Sequence, residues 1–120
     1  MTIRRMKTYT GGQGYVYQYY YVGNRQLPAK GGQEAATEYI FDVTSDRKTT
    51  FSVSVFLPEG VLRAWAFHHG RPLTDAEQYG AVKMRLFQAF DEVEDVMSHG
   101  RQLSVDSEIL ERALATLGVD

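Results

Sequence analysis

The sequence predicts one α+β domain, built from an antiparallel meander of three to four strands with three helices packed on one face. Two changes of pattern predict this class. Residues 37–57 alternate apolar and polar side chains with the period of a β-strand, whereas beyond Leu57 the apolar residues recur every three or four positions, as in helices. A chain of 120 residues can bury a hydrophobic core of its own without metals or disulfides.

Residues 37–57 are predicted to form a β-hairpin around a loop at residues 46–48. This loop would place Val43 opposite Phe51 and Phe41 opposite Val53, so that the apolar odd-numbered residues share one face. We expect that face to be the floor of the core, and it comprises Tyr39, Phe41, Val43, Phe51, Val53, Val55 and Leu57.

Residues 15–22 predict another strand, with a tyrosine at each odd position: Tyr15, Tyr17, Tyr19 and Tyr21. A buried hydroxyl without a partner costs about 1–3 kcal/mol, so we expect these tyrosines to face away from the helices, with Val16, Tyr20 and Val22 inward. Beside Ile40 and Phe56 they would form an aromatic partner-binding surface. The alternative is that the tyrosines point inward and their hydroxyls reach solvent at the edge of the helical layer.

Glycine-rich segments flank this strand. Residues 1–14 are predicted to be a flexible arm that could add a fourth strand, and residues 23–36 a long polar loop. The tripeptides at residues 11–13 and 31–33 resemble the GGQ loop of peptide-chain release factors. The basic, asparagine-bearing context of that family is missing, so we interpret both as glycine turns.

Three helices are predicted after the hairpin. The first begins after Pro58 and ends at Gly70; the second begins with a capping box at Thr74 and Glu77 and carries an apolar stripe as far as Met97. The last begins near residues 104–106 and runs to about residue 117. We expect the strongest periodic positions to be buried together: Phe41, Val53, Val55, Trp65, Leu86 and Phe90.

The pattern HGRxL, followed by Thr or Ser, occurs at residues 69–74 and again at residues 99–104. It is typical of a helix that ends at a left-handed glycine and is followed by a capped helix. A second interpretation is an anion site that combines His69, Arg71, His99 and Arg101, because guanidinium and imidazole groups suit phosphate or carboxylate. The two junctions flank opposite ends of the second helix, which argues against their convergence.

Chemistry-bearing clusters are otherwise weak. Asp91, Asp95 and His99 fall on one helical stripe and could hold a divalent ion, but a solvated acidic face is the preferred interpretation, and we predict neither a metal nor a cofactor. Ser, His and Asp are present without the spacing of a nucleophile and its base. An enzyme is therefore the least supported class.

Composition favours a protein of the cytoplasm. The chain has no cysteine, a formal net charge of −2 and no apolar run near the roughly 18 residues of a membrane helix. We expect a non-enzymatic protein-interaction module that forms a homodimer or binds another protein. The alternative is a single-stranded nucleic-acid binder that stacks bases on the tyrosine strand, with phosphates bound by Arg4, Arg5, Lys7 and Arg25.

Overall fold

The computed structural model describes residues 5–119. Over that range the chain forms, in order, β1 (Lys7–Thr10), β2 (Val16–Leu27), β3 (Ala36–Thr44), β4 (Phe51–Pro58), α1 (Glu59–His69), α2 (Asp75–Glu92), α3 (Val96–His99), β5 (Gln102–Ser104) and α4 (Ser107–Thr116). The five strands lie in chain order; β1 to β4 are an antiparallel meander and β5 is parallel to β4. The α+β class is confirmed, whereas the structure has five strands where three to four were predicted and four helices where three were predicted.

The central hairpin is confirmed in register. Val43 pairs with Phe51, Phe41 with Val53 and Tyr39 with Val55, and the odd-numbered residues of both strands are buried. The connection is longer than predicted, because β3 ends at Thr44 and β4 begins at Phe51. Within it, the Asp46 carboxylate accepts hydrogen bonds from two successive backbone N–H groups at 2.8 Å, which holds the loop closed.

Both glycine-rich segments contain more strand than predicted. Residues 7–14 form β1 and a tight turn rather than a flexible arm, which confirms the possible fourth strand, while residues 1–4 lie outside the described range. Strand β2 continues to Leu27 through a bulge at Gly23, so the predicted loop at 23–36 shrinks to residues 28–35. Glycine suits that bulge, since its φ of 153° lies in a region that other residues rarely adopt.

Strand β5 was missed because its three residues carry no readable period. Its Leu103 is buried in the core, and the backbone bonds Ser54 N–H to Arg101 O and Val105 N–H to Phe56 O fix it beside β4. The parallel pairing is possible because α1, α2 and α3 form the connection that a parallel neighbour needs.

The start of α2 matches its prediction. The Thr74 hydroxyl accepts a hydrogen bond from the Glu77 N–H, and the Glu77 carboxylate accepts one from the Thr74 N–H. Arg71 adds two parallel bonds of 2.9 Å to the same carboxylate. These bonds from Arg71, and then the backbone bond from Thr74, lower the pKa of Glu77 from 4.5 to about 2.

This carboxylate predicts a pH dependence of stability. The pKa of Glu77 in the folded protein lies below its ordinary value of 4.5. Its contribution to the free energy of unfolding is therefore complete above pH 4.5 and is lost as the pH falls toward about 2. We expect Glu77→Gln, which can keep the capping geometry but loses the charge, to be less stable than the parent above pH 4.5, with the difference closing at about pH 2. Thermal unfolding across this range measures it. Glu94→Gln, which removes an exposed carboxylate between α2 and α3, is the control for the loss of one negative charge. A gap between Glu77→Gln and the parent that stays constant with pH would contradict the assignment.

The end of α2 differs from its prediction. The helix stops at Glu92 instead of continuing to Met97, and the extended backbone of Val93 separates it from α3. Four acidic residues near this end oppose the helix dipole, and Asp95 caps α3 by accepting a hydrogen bond from the Ser98 N–H at 3.2 Å. Met97 is consequently half exposed.

The helices pack on the odd-numbered face of the sheet. All six residues expected to share the core are buried there, namely Phe41, Val53, Val55, Trp65, Leu86 and Phe90. Among residues 5–119, none of the helices has the length and apolar character to cross a membrane.

Candidate interaction surface

The tyrosines of β2 lie on the opposite side of the sheet from the side that we predicted. Tyr17 and Tyr19 are only 3% and 5% exposed, and Tyr21 also points toward the helices, whereas Tyr15 is half exposed just before the strand. The prediction that these tyrosines form one surface with Ile40 and Phe56 is therefore wrong. Ile40 and Phe56 do lie on the side away from the helices, where each is partly exposed.

Two phenylalanines of α2 explain this orientation. The Tyr17 ring stacks on Phe90 with centroids 4.3 Å apart, and Tyr19 meets the edge of Phe87 at 5.5 Å. Tyr9 of β1 stacks on the other side of this cluster, 4.3 Å from Phe87. Aromatic contacts of this kind add about 0.5–1.5 kcal/mol each beyond area burial, and the predicted orientation would have lost them.

The hydroxyl penalty behind our prediction does not arise. The Tyr9 hydroxyl donates to the Asp91 carboxylate, and the Tyr21 hydroxyl accepts a bond of 2.6 Å from the Asn24 amide. In the described part of the chain, Trp65 Nε1 is the one fully buried side-chain polar atom without a partner. The tyrosine hydroxyls thus reach partners or solvent at the edge of the helical layer, as the alternative interpretation required.

The inverted strand leaves a different set of side chains uncovered. We call the sheet side away from the helices the open face. Its apolar part comes from the three longest strands: Val16, Tyr20, Val22, Leu27, Ile40 and Phe56. Val16 and Val22 are 44% and 48% exposed, and nothing within residues 5–119 packs over them as the helices do over the other side. The sequence analysis placed Ile40 and Phe56 on the predicted surface, but it assigned Val16, Tyr20 and Val22 to the core.

An ion pair between the exposed Arg25 and the buried Glu38 lies in the middle of the open face. Glu38 is only 7% exposed and accepts bonds of 2.6 Å from both Arg25 Nε and Ser54 Oγ. Burial disfavours its charged form, but the bonds from Ser54 and Arg25 outweigh burial and hold the pKa of Glu38 below its ordinary value. Arg25, which falls within the predicted polar loop at residues 23–36, therefore lies on β2 and binds a carboxylate on β3.

Three of the four residues of the hypothetical anion site have separate partners, and the fourth, His99, lies at a cleft. His69 Nε2 lies 2.8 Å from a Glu111 oxygen, and Arg71 binds Glu77. Arg101 donates to the Ser52 carbonyl at 2.9 Å, while His99 borders a cleft beside α3. Of the two HGRxL junctions, only the first behaves as predicted: Gly70 is left-handed, whereas Gly100 has a φ of −127° and Asp106, not Ser104, caps α4.

The structure supports neither a metal site at Asp91, Asp95 and His99 nor a GGQ loop like that of release factors. Asp91 accepts hydrogen bonds from Tyr9 and Gly12, and no cluster of three possible metal ligands exists among the described residues. The first GGQ is the β1–β2 turn, held against the end of α2. In the second, Lys30 and Gln33 exchange backbone bonds of 3.0 Å around two left-handed glycines, which confirms a turn.

Comparison of the chain with protein-family models, with curated proteins and with solved structures gave no match. A proposal for function therefore depends on the geometry of the surfaces described above.

Proposed function

We propose that this protein is a non-enzymatic interaction module that forms a homodimer by packing the open face of its sheet against the same face of a second copy. The main support for the proposal is that helices cover only one of the two faces of the sheet. The helices cover one side of the sheet, while the other side presents apolar residues from three adjacent strands, and Val16 and Val22 are about half exposed. Two sheets pack face to face through such side chains, about 10 Å apart.

The charge of the open face supports a partner that is another copy. Its charged residues in the strand register are Arg25, Glu38 and Asp42, and the first two neutralise each other. The centres of protein interfaces are depleted in charge and enriched in aromatic residues, as found around Tyr20 and Phe56. A formal net charge of −2 adds little repulsion between two copies.

The size of the face also suits a dimer. Each strand residue covers roughly 16 Å² of sheet, given the rise along a strand and the spacing between strands. The five strands therefore give each face of the sheet an area of roughly 600 Å², counted as if the face were flat and without the added surface of protruding side chains. A stable interface of standard size buries roughly 800 Å² of accessible surface on each partner. A two-fold contact over this face comes close to that requirement.

Sedimentation velocity tests the proposal. The parent protein should sediment as a dimer, and Ile40→Glu combined with Phe56→Glu should raise the dissociation constant at least about 100-fold, because four unpaired carboxylates would enter the contact. The side chains are replaced on the open face, so circular dichroism should show an unchanged fold. A parent protein that remains monomeric at all concentrations would rule out self-association.

A matched control lies on the helical side. Phe67 of α1 is 85% exposed, more than any other large apolar residue in the described range. Phe67→Glu removes the most exposed apolar group on the helical side. If the dimer forms through the open face, this variant should leave it intact. If it dissociates the dimer instead, the interface lies on α1 rather than on the sheet.

The single-stranded nucleic-acid alternative depended on exposed rings of the tyrosine strand, and two of these rings are buried. Bases cannot stack on Tyr17 or Tyr19 while α2 covers both rings, and Arg25 is bound to Glu38. Arg4 lies outside the described residues, and no observation on Arg5 or Lys7 favours phosphate binding. The cytoplasmic location expected from the sequence stays a prediction.

A further inference from the structure

A polar cleft opens on the helical side of the sheet, away from the open face. It lies where the N-terminal end of α2 faces the part of β2 and β3 around and beyond the Gly23 bulge. Its volume is about 380 Å³, within the range of small-molecule sites, roughly 300–1,000 Å³. The bulge helps to create it, because it shifts the pairing of β2 and brings Asn24 opposite Tyr39.

The floor of the cleft consists of two buried polar side chains. Tyr39 is 5% exposed and Thr37 is 6% exposed. The Thr37 hydroxyl donates to the Gln26 side-chain oxygen at 3.2 Å, but in residues 5–119 no group forms a hydrogen bond with the Tyr39 hydroxyl. This hydroxyl is not sealed from solvent, so it can bind a molecule in the cleft.

The Tyr39 hydroxyl is also held in its neutral form. Burial, the neighbouring Tyr21 and the Asp75 carboxylate together raise the pKa of Tyr39 above its ordinary value. A tyrosine hydroxyl is neutral at neutral pH even with its ordinary pKa, and this upward shift only widens the margin, so Tyr39 presents both a donor and an acceptor to the cleft.

The walls define the chemistry of a ligand. Asn24, Gln26 and Gln78 supply amide groups, while the rings of Tyr21 and Tyr79, 4.8 Å apart, supply apolar surfaces. Among residues 5–119, Asp75 is the one carboxylate that lines the cleft, and no cationic side chain lines it. An anion would be repelled by Asp75, and an apolar ligand would leave the Tyr39 hydroxyl without a partner. Each amide already forms one hydrogen bond within the protein, with Tyr21, Thr37 or Leu73, and keeps further donor and acceptor positions for a polar ligand.

We propose that this cleft binds a neutral, polyhydroxylated small molecule of the saccharide class. Such a ligand offers adjacent hydroxyls to Asp75 and the amides, and a C–H face to the tyrosine rings. The site is separate from the proposed dimer contact, because its side chains lie on the other side of the sheet.

Saturation-transfer NMR with glucose, galactose and maltose tests the proposal on the full-length chain. We expect at least one of these probes to bind in the millimolar range, and Tyr39→Phe to weaken its binding about five- to tenfold by removing one hydroxyl from the floor. Asn24→Ala, on the exposed wall, should weaken binding by a similar factor. Tyr15→Phe, which removes a hydroxyl outside the cleft, should leave it unchanged.

Three results would overturn the proposal. The first is no saturation transfer to any of the three saccharides, and the second is equal affinity of the parent and of both cleft variants. The third is tighter binding of inorganic phosphate or of glycylglycine amide than of the saccharides, because it would mean that the cleft prefers an anion or a peptide. None of these results bears on the oligomeric state, so this test and that of the dimer fail separately.

Discussion

Phe90→Ala is expected to lower the free energy of unfolding by about 3–5 kcal/mol. Phe90 is fully buried and stacks on Tyr17 with the ring planes only 7° apart, and its other neighbours include Tyr9 and Tyr19. Truncation would remove the ring at the point where α2 meets β1 and β2, and leave a cavity among rigid aromatic side chains that cannot collapse to fill it. A urea titration monitored by circular dichroism measures the loss.

Phe67→Ala is the matched control for this variant. The same substitution on a ring that is 85% exposed should change stability by no more than about 0.5 kcal/mol. A loss below about 1 kcal/mol at Phe90 would contradict the packing of α2 on the tyrosine strand.

The hairpin register was predictable because one face of it is almost purely apolar. Shifting β4 by one residue would turn Val53 and Val55 to the outside, so only one pairing buries both strands. The capping box of α2 was predictable for a similar reason, since Thr74 and Glu77 satisfy each other's backbone groups within four residues. In both cases the decisive interactions are local.

The orientation of the tyrosine strand was not decided locally. Both of its faces carry large side chains, and the choice depends on Phe87 and Phe90, about 70 residues further along the chain. Assigning a full penalty to every tyrosine hydroxyl was the physical error, because a long ring can be buried while its hydroxyl reaches the edge of the layer. Ile40 and Phe56 consequently lie on the predicted side of the sheet, whereas Tyr17, Tyr19 and Tyr21 lie on the other side.

The end of α2 was mispredicted for a related reason. The apolar spacing to Met97 favoured a longer helix, but Asp91 is bonded to the Tyr9 hydroxyl and the Gly12 N–H, and Asp95 caps α3. The two contacts of Asp91 join the end of α2 to β1 and the β1–β2 turn across about 80 positions of sequence, and no periodicity in either segment predicts them.

That contact makes Gly11 the most constrained glycine in the described part of the chain. Gly11 is buried; its N–H donates to the Tyr15 carbonyl at 2.8 Å and its carbonyl accepts from the Gly14 N–H at 3.0 Å. A methyl group added there would overlap the backbone oxygen of Phe90, which cannot rotate away as a side chain could. We expect Gly11→Ala to cost about 1–3 kcal/mol in the free energy of unfolding, because the turn must move off the end of α2.

Gly12→Ala is the control that separates this clash from a general effect of alanine in the turn. Its added methyl group would lie 3.7 Å from Asp91, an ordinary contact distance, and the Gly12 N–H that binds Asp91 would be kept. We expect this variant to remain within about 0.5 kcal/mol of the parent in a urea titration. In Gly11→Ala the residue-12 amide should also exchange its hydrogen faster, since the displaced turn breaks the 2.8 Å bond to Asp91. Equal stability of the two variants would mean that the turn is not seated on α2, and the packing around Phe90 would have to be revised with it.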